Sequence, residues 1–458
     1  MKRRNLLEGS IVKSLVFLAI PIVIGNLLHS AYHLTDLFWV GRLGEVAVAA
    51  MSMNFPVVFL FISLGIGLST AGTILVAQYY GEKNHENVDF VAGQSVFMIA
   101  LISILVSVLG YFLSPYIIGL MGAEEAVSMA STEYLQVSFI GMIFVFGYMN
   151  FQSLLRGVGE VKIPMFIILG SVLLNLIIDP IFILGYGPIP AFGVKGAAMA
   201  TIITEGCAFA IGLFLLIRGW HGVRLKWKNL YPNFKFIKKL FALGFPTSIE
   251  MSTRSLAMIF MVFLVAGFGT TITAAYGIGG ELMGLVILPA LGLSMATSTM
   301  VGQNLGARNV ERAEKASRKG VLIGFVILSV VGVLSFFFGE TVSALFIPGE
   351  HSVIMESTKF IKIIAFSFGF IAIQQIFNGT FRGAGNTGTA MAISVVSLWG
   401  LQIPLAYILS TYTSLGAEGL WWAFPVTNVC AGVIAYIVFV RGKWKKTRIT
   451  EGLIARTE

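Results

Sequence analysis

The sequence predicts an all-α polytopic membrane protein: twelve transmembrane helices in two six-helix bundles, related by a pseudo-twofold axis along the membrane normal. Three observations carry this expectation. Of 458 residues, 57% are hydrophobic and only 12% charged, and the mean hydropathy of +0.87 lies far outside the range of soluble domains. Apolar runs long enough to cross a hydrocarbon core of roughly 30 Å as helices recur along the whole chain. The second half of the chain also repeats the first.

Bounded by charge, Gly or Pro, the runs fall at 13–40, 47–80, 90–113, 131–155, 162–185 and 194–218, then at 236–266, 271–303, 319–338, 357–381, 388–410 and 418–440. The first follows Met1-Lys2-Arg3-Arg4, as a secretory signal would. It is too long for one, contains Pro21, His29, His33 and Asp36, and lacks a small-residue cleavage site. It therefore reads as a retained helix. The domain organisation follows: an N-terminal six-helix lobe over 1–218, a cytoplasmic basic connector over 219–235, and a C-terminal six-helix lobe over 236–458. Cys207 and Cys430 both fall inside apolar runs, which predicts buried thiols and neither a disulfide framework nor a C-x-x-C metal site.

Loops retained in the cytoplasm carry the positive charge. With both termini inside, 26 of the 31 basic residues lie on the retained side: four before the first helix, seven in the central connector, five from Arg308 to Lys319, six in the tail and four elsewhere. The outer side receives Arg42, Lys195, Lys359 and Lys362, and Arg254 falls within the seventh helix. One missing helix would destroy this asymmetry. The expected location is the cell (inner) membrane, multi-pass, with cytoplasmic termini. Topology and anionic membrane lipids account for the net charge of +9, so no nucleic-acid partner is implied.

The repeat has an offset of about 225. Gly67 to Asn84 realigns on Gly292 to Asn309 with eight identities in 18 positions. Arg156-Gly157-Val158-Gly159 matches Arg382-Gly383-Ala384-Gly385, Pro21 matches Pro246, and Gly193-Val194-Lys195-Gly196 matches Gly416-Ala417-Glu418-Gly419. Each half holds an even number of spans, so both insert the same way round, about an axis along the membrane normal. A cavity between the bundles is then expected.

An ionisable group inside the hydrocarbon costs at least roughly 2.5–3.5 kcal/mol on insertion scales, so each one points to function. Asp36, Asp179, Glu205, Glu250, Arg254 and Glu281 are such groups. In the first helix Asn26, His29, His33 and Asp36 recur at helical spacing along one face. In the fifth, Asn175 and Asp179 are one turn apart and Pro180 follows, which frees a backbone carbonyl beside the acid and suits a cation or proton site. Under the repeat Asp36 falls opposite Met261 and Asp179 opposite Ile403. Neither acid belongs to the shared scaffold, as befits a coupling site that needs to occur only once. A neutral imidazole at His29 or His33 also makes a satisfied interior group. Glu205 and Glu281 lie in Gly-containing stretches compatible with local contacts. Glu250 and Arg254, one turn apart, read first as an internal ion pair. The Gly-rich pieces lack the Gly-Lys-Ser/Thr of a phosphate loop, and no H-E-x-x-H or G-x-S-x-G is present, so neither ATP nor hydrolysis is implied.

These residues resemble those of the multidrug and toxic compound extrusion (MATE) family over essentially the whole chain. The likeness rests on Pro21 with Asp36 and Gly41-Arg42-Leu43-Gly44, on Gly81, on Arg156-Gly157-x-Gly159 and its repeat, and on Asn175 to Asp179-Pro180. It is greatest to the DinF-like prokaryotic branch. The resemblance implies a secondary active transporter rather than an enzyme: a cation-coupled multidrug antiporter exporting amphipathic organic compounds by alternating access. It implies Asp36 and Asp179 as ion-binding acids, with Asn175 and Thr201 as neutral ligands and Pro21 as the bend of the first helix. His33, His29, Asn26, Glu250, Glu205 and Glu281 are possible relay or secondary groups. The tenth helix carries Gln374, Gln375 and Asn378 where the NorM-type branch has an acid. The coupling ion is H+ or Na+, the latter at Asp36 and Asp179, with no cofactor; the partners are small amphipathic molecules and membrane lipids, and the chain is expected to be a monomer. The alternatives are a flippase for lipid-linked oligosaccharides or lipids, against which Arg254 counts as the one clearly intramembrane base, and an uncoupled channel.

Overall fold

A computed structural model describes residues 5–122, 124–447 and 449. The helices run in the order α1 (Ile11–Val40), α2 (Glu45–Gly81), α3 (His85–Leu120), α4 (Glu125–Gly157), α5 (Lys162–Leu184), α6 (Val194–Arg218), α7 (Phe234–Ala266), α8 (Thr270–Gly306), α9 (Val310–Phe346), α10 (His351–Ala365), α11 (Phe368–Gly383), α12 (Thr387–Val395), α13 (Ile403–Thr411) and α14 (Ala417–Val440). Among the described residues the only β feature is a single bridge between Tyr186 and Ile189.

Eleven helical stretches are long and apolar enough to span a membrane, with Thr387–Thr411 counted as one; α10 and α11 together supply a twelfth. The chain is thus a multi-pass membrane protein. Two spans depart from the continuous helices expected at 357–381 and 388–410. The tenth is bent by 54° between α10 and α11. At the break the Ser367 hydroxyl donates to the Ile364 carbonyl at 2.8 Å and accepts from Asn428 Nδ2 at 2.9 Å, so interior side chains satisfy a polar group that lipid would not. In the eleventh, a π turn over Val396–Gln402 joins α12 to α13. Pro404 lies just beyond it; its missing N–H and bulky ring disfavour the preceding α turn, and the wider turn accommodates them. The ninth helix, expected at 319–338, runs over 37 residues. Its first turns are charged, and hydropathy does not register them.

The described chain gathers into two compact units: residues 24–248, and residues 5–23 with 249–449. Within the first, α4 packs on α2, α3 and α6; within the second, α11 packs on α8, α9 and α14. Backbone geometry repeats with the sequence. Asn84 and Asn309 each cap the following helix, accepting from the backbone N–H three residues on at 3.1 Å. Lys83 and Arg308, just before them, take left-handed φ of 60° and 62°, and Gly159 and Gly385 share φ of 83°.

Glycines in the Arg-Gly motifs allow close helix approach. A Cβ on Gly383 would lie 2.3 Å from the Ser298 carbonyl oxygen of α8; on its counterpart Gly157 it would lie 3.0 Å from the Thr73 carbonyl oxygen of α2. Gly383→Ala is therefore expected to cost about 1–3 kcal/mol through overpacking. Its melting temperature in detergent should fall measurably. Gly388→Ala, where nothing lies within 4 Å, is the control that should not move it.

Both units fasten the segment that follows their last helix. The connector after α6 lies along α3: Asp89 accepts from Arg224 N and pairs with Lys226, both at 2.8 Å. Gln94 donates to the carbonyls of Asn229 and Tyr231 at 2.7 and 2.8 Å and accepts from Asn233 N. After α14, Lys445 reaches Glu314 of α9 at 2.6 Å, and Glu314 is the repeat partner of Asp89. The cysteines are free, but Cys207 is exposed on α6 and Cys430 is partly exposed, contrary to the expected burial. An apolar thiol in a membrane span is equally at home on a lipid-facing surface.

Candidate functional site

In the first unit, α1, α5 and α6 bring a set of oxygens together. Helical spacing places Tyr32 and Asp36 on one face of α1, Asn175 and Asp179 on one face of α5, and Thr201 and Thr204 on one face of α6. Asn175 Nδ2 donates to Asp179 Oδ1 at 2.9 Å, and Thr201 Oγ1 donates to Asp36 Oδ2 at 3.3 Å. The Asp36 carboxyl group interacts directly with Asp179 and with Asn175. One turn before Asp36, the Tyr32 hydroxyl is hydrogen-bonded to Thr204 Oγ1. Asp36 is 3% exposed, and Asp179 and Asn175 are fully buried. Asp36 Oδ1, Asp179 Oδ2 and Asn175 Oδ1 have no hydrogen-bond donor. Among the described residues no Lys, Arg or His forms an ion pair with either acid. Buried carboxyl groups side by side and without a base are costly when both are ionised. A proton or a small cation coordinated by those oxygens would remove the cost, and the donor set of carboxylate, amide and hydroxyl oxygens suits a hard ion. Among the described residues no group of three or more His, Cys, Asp and Glu forms a metal site.

The other sequence-flagged groups of this unit stand nearby or apart. Glu205 is buried on α6 beside Thr204. His29 lies 3.5 Å from Gln152 Nε2, and His33 is exposed with its ring tilted against Phe55 at 4.7 Å. Asn26 is partly exposed. Pro21, buried, falls in the part of α1 that belongs to the second unit, and α1 is uninterrupted there. Tyr32 and Thr204 were not singled out from sequence, although Tyr32 shares the face of Asp36.

The second unit holds a different polar cluster. Glu250 is fully buried on α7, and its Oε1 accepts from Arg382 Nη2 at 2.8 Å, Ser394 Oγ at 3.0 Å and Asn378 Nδ2 at 3.3 Å. The expected Glu250–Arg254 pair is thus corrected: the partner of Glu250 is Arg382, from the repeated Arg-Gly motif. Spacing along one helix shows which residues share a face, whereas here a neighbouring helix supplies a better-placed guanidinium. Arg254 instead faces Gln375, whose amide, turned to present its oxygen, accepts from Nη2 and Nη1 at 2.5 and 3.0 Å. Arg254 is consequently not the lone intramembrane base, because Arg382 is 4% exposed. Glu281 is exposed on α8.

The MatE family model matches residues 21–181 and 246–408, one stretch in each half. The probable multidrug resistance protein YoeA of Bacillus subtilis (strain 168) is 31% identical over 448 residues, covering 97% of this chain and 96% of that protein. The probable multidrug resistance protein YpnP of the same strain is 28% identical, covering 98% and 99%. Among solved structures, that of MATE in complex with MaL6 superposes with a TM-score of 0.90 at 26% identity, covering 96% of this chain and 98% of that one. Twelve spans, an internal repeat and full-length likeness lead to one conclusion: the chain belongs to the MatE family of multidrug and toxic compound extrusion transporters.

Proposed function

We propose that the protein is a cation-coupled antiporter that exports amphipathic organic compounds across the cell (inner) membrane by alternating access. Asp36 and Asp179 bind the coupling ion, H+ or Na+, with Asn175 and Thr201 as neutral ligands. The observation that carries this reading is the set of buried oxygens on Asp36, Asp179 and Asn175 that lack a donor. The names of YoeA and YpnP support the cargo class. The chain acts as a monomer with cytoplasmic termini and no cofactor.

An ion that binds one state better than the other shifts the protein toward it. In the outward-facing state the ion enters between the acids and removes their repulsion. The first helix then bends at Pro21, the drug site collapses, and the cargo leaves. Loss of the ion to the cytoplasm restores the starting state. His33, His29, Asn26 and Glu205 serve as secondary or relay groups for the proton in this reading.

Efflux of a fluorescent organic cation from proteoliposomes, under an imposed proton gradient or an imposed Na+ gradient, tests the proposal. Driven efflux under one gradient alone supports antiport and names the ion. Flux that ignores both gradients would mark an uncoupled channel and overturn the coupling assignment.

A further inference from the structure

The charge balance of the second unit's cluster is incomplete. One carboxylate, Glu250, faces two guanidinium groups, those of Arg382 and Arg254. Its ionised partner is Arg382, at 2.8 Å, and the pair is shut away: side-chain exposure is 5% for Arg382 and 0% for Glu250. Ser394 and Asn378 complete the donors on the same Oε1. Arg254 therefore has a neutral amide, that of Gln375, as its hydrogen-bond acceptor. A single amide oxygen shared by two of its nitrogens leaves the rest of the guanidinium fork open. Unlike Glu250 and Arg382, Arg254 is partly exposed, so its side chain is not sealed inside the unit as theirs are.

A net positive charge held among apolar helices is expensive unless an anion meets it. The planar fork matches a carboxylate or phosphate in two-point fashion, where a point-charge cation does not. We infer that Arg254, backed by Gln375, is a binding site for an oxyanion carried by the cargo, so that the transporter favours amphiphiles bearing a carboxylate or phosphate group over purely cationic ones. Glu250 keeps Arg382 from competing for that oxyanion. The inference rests on the reading of the chain as an exporter, but it concerns cargo recognition and not ion coupling.

Equilibrium binding in detergent or nanodiscs, with no gradient, keeps the two separable. The probes are rhodamine 110, which has a free carboxylate, and rhodamine 123, its methyl ester, followed by fluorescence polarisation. Wild type is expected to bind the acid at least ~10-fold more tightly than the ester, a gap of about 1.4 kcal/mol. Arg254→Gln should erase the preference by weakening the acid and leaving the ester unchanged, and Arg254→Lys should keep part of it. The preference is read in wild type with no gradient imposed, so it stands or falls independently of driven transport. Equal affinity for the two dyes in wild type, absence of binding by either, or an equal loss of both in Arg254→Lys would overturn the assignment. Chloride or inorganic phosphate that removes the preference at millimolar concentration would place a free inorganic anion at Arg254 and overturn it as well.

Discussion

Asp36→Asn is expected to abolish gradient-driven efflux while leaving the protein as heat-resistant as wild type, or more so. In the folded protein Asp36 lies against Asp179 with an oxygen that no donor reaches, so its charge is a burden that only the coupling ion relieves. Asparagine fills the same volume, and the amide it brings can donate to the Asp179 carboxyl group beside it. The repulsion disappears, and with it the reason for the ion to bind. A coupling free energy of about 1–3 kcal/mol, or roughly 5–150-fold in affinity between ion and drug, should vanish. Proteoliposome efflux and a thermal-shift curve on one preparation check both halves. A variant that still couples would remove Asp36 from the ion site, whereas one that melts well below wild type would make Asp36 a structural group.

Glu250→Gln should do the reverse and lower stability. Glutamine still accepts a hydrogen bond from Ser394 or Asn378, but the Arg382 guanidinium, 5% exposed, would be left as an uncompensated buried charge with a second guanidinium near it. Breaking a buried pair from one side costs about 3–5 kcal/mol. The melting temperature of the detergent-solubilised protein should drop sharply. Adding Arg382→Gln to the same background should recover much of the loss, because the double variant buries no unpaired charge. Wild-type melting of the single variant would sink this account.

The spans were legible because length, hydropathy and basic-residue placement are properties of whole segments, and lipid enforces them strictly. The acids on α1 and α5 were conspicuous for the same reason: each is an anomaly in an apolar run. The bend at Phe366-Ser367 was not legible, since no Pro marks it and the nearest Gly, Gly369, lies inside the following helix; the break is held by Ser367 and Asn428, which meet only after folding. Arg382 was missed because an Arg before Gly at a helix end looks solvated in one dimension. Its burial against Glu250 depends on α7 and α11 being neighbours, which spacing along a single helix cannot express. The π turn before Pro404 likewise left no mark in a pattern that Asp179-Pro180 shares, where α5 stays regular.

The matched fastenings at Asp89–Lys226 and Glu314–Lys445 bear on how such a chain arose. The central connector behaves as the tail of the first half, laid back along its own third helix as the second half's tail is laid along its ninth. A duplicated gene would carry that tail along in each copy. The stretch joining the halves is held to its own half as the residues after α14 are held to theirs, so it completes the first half as well as linking it to the second.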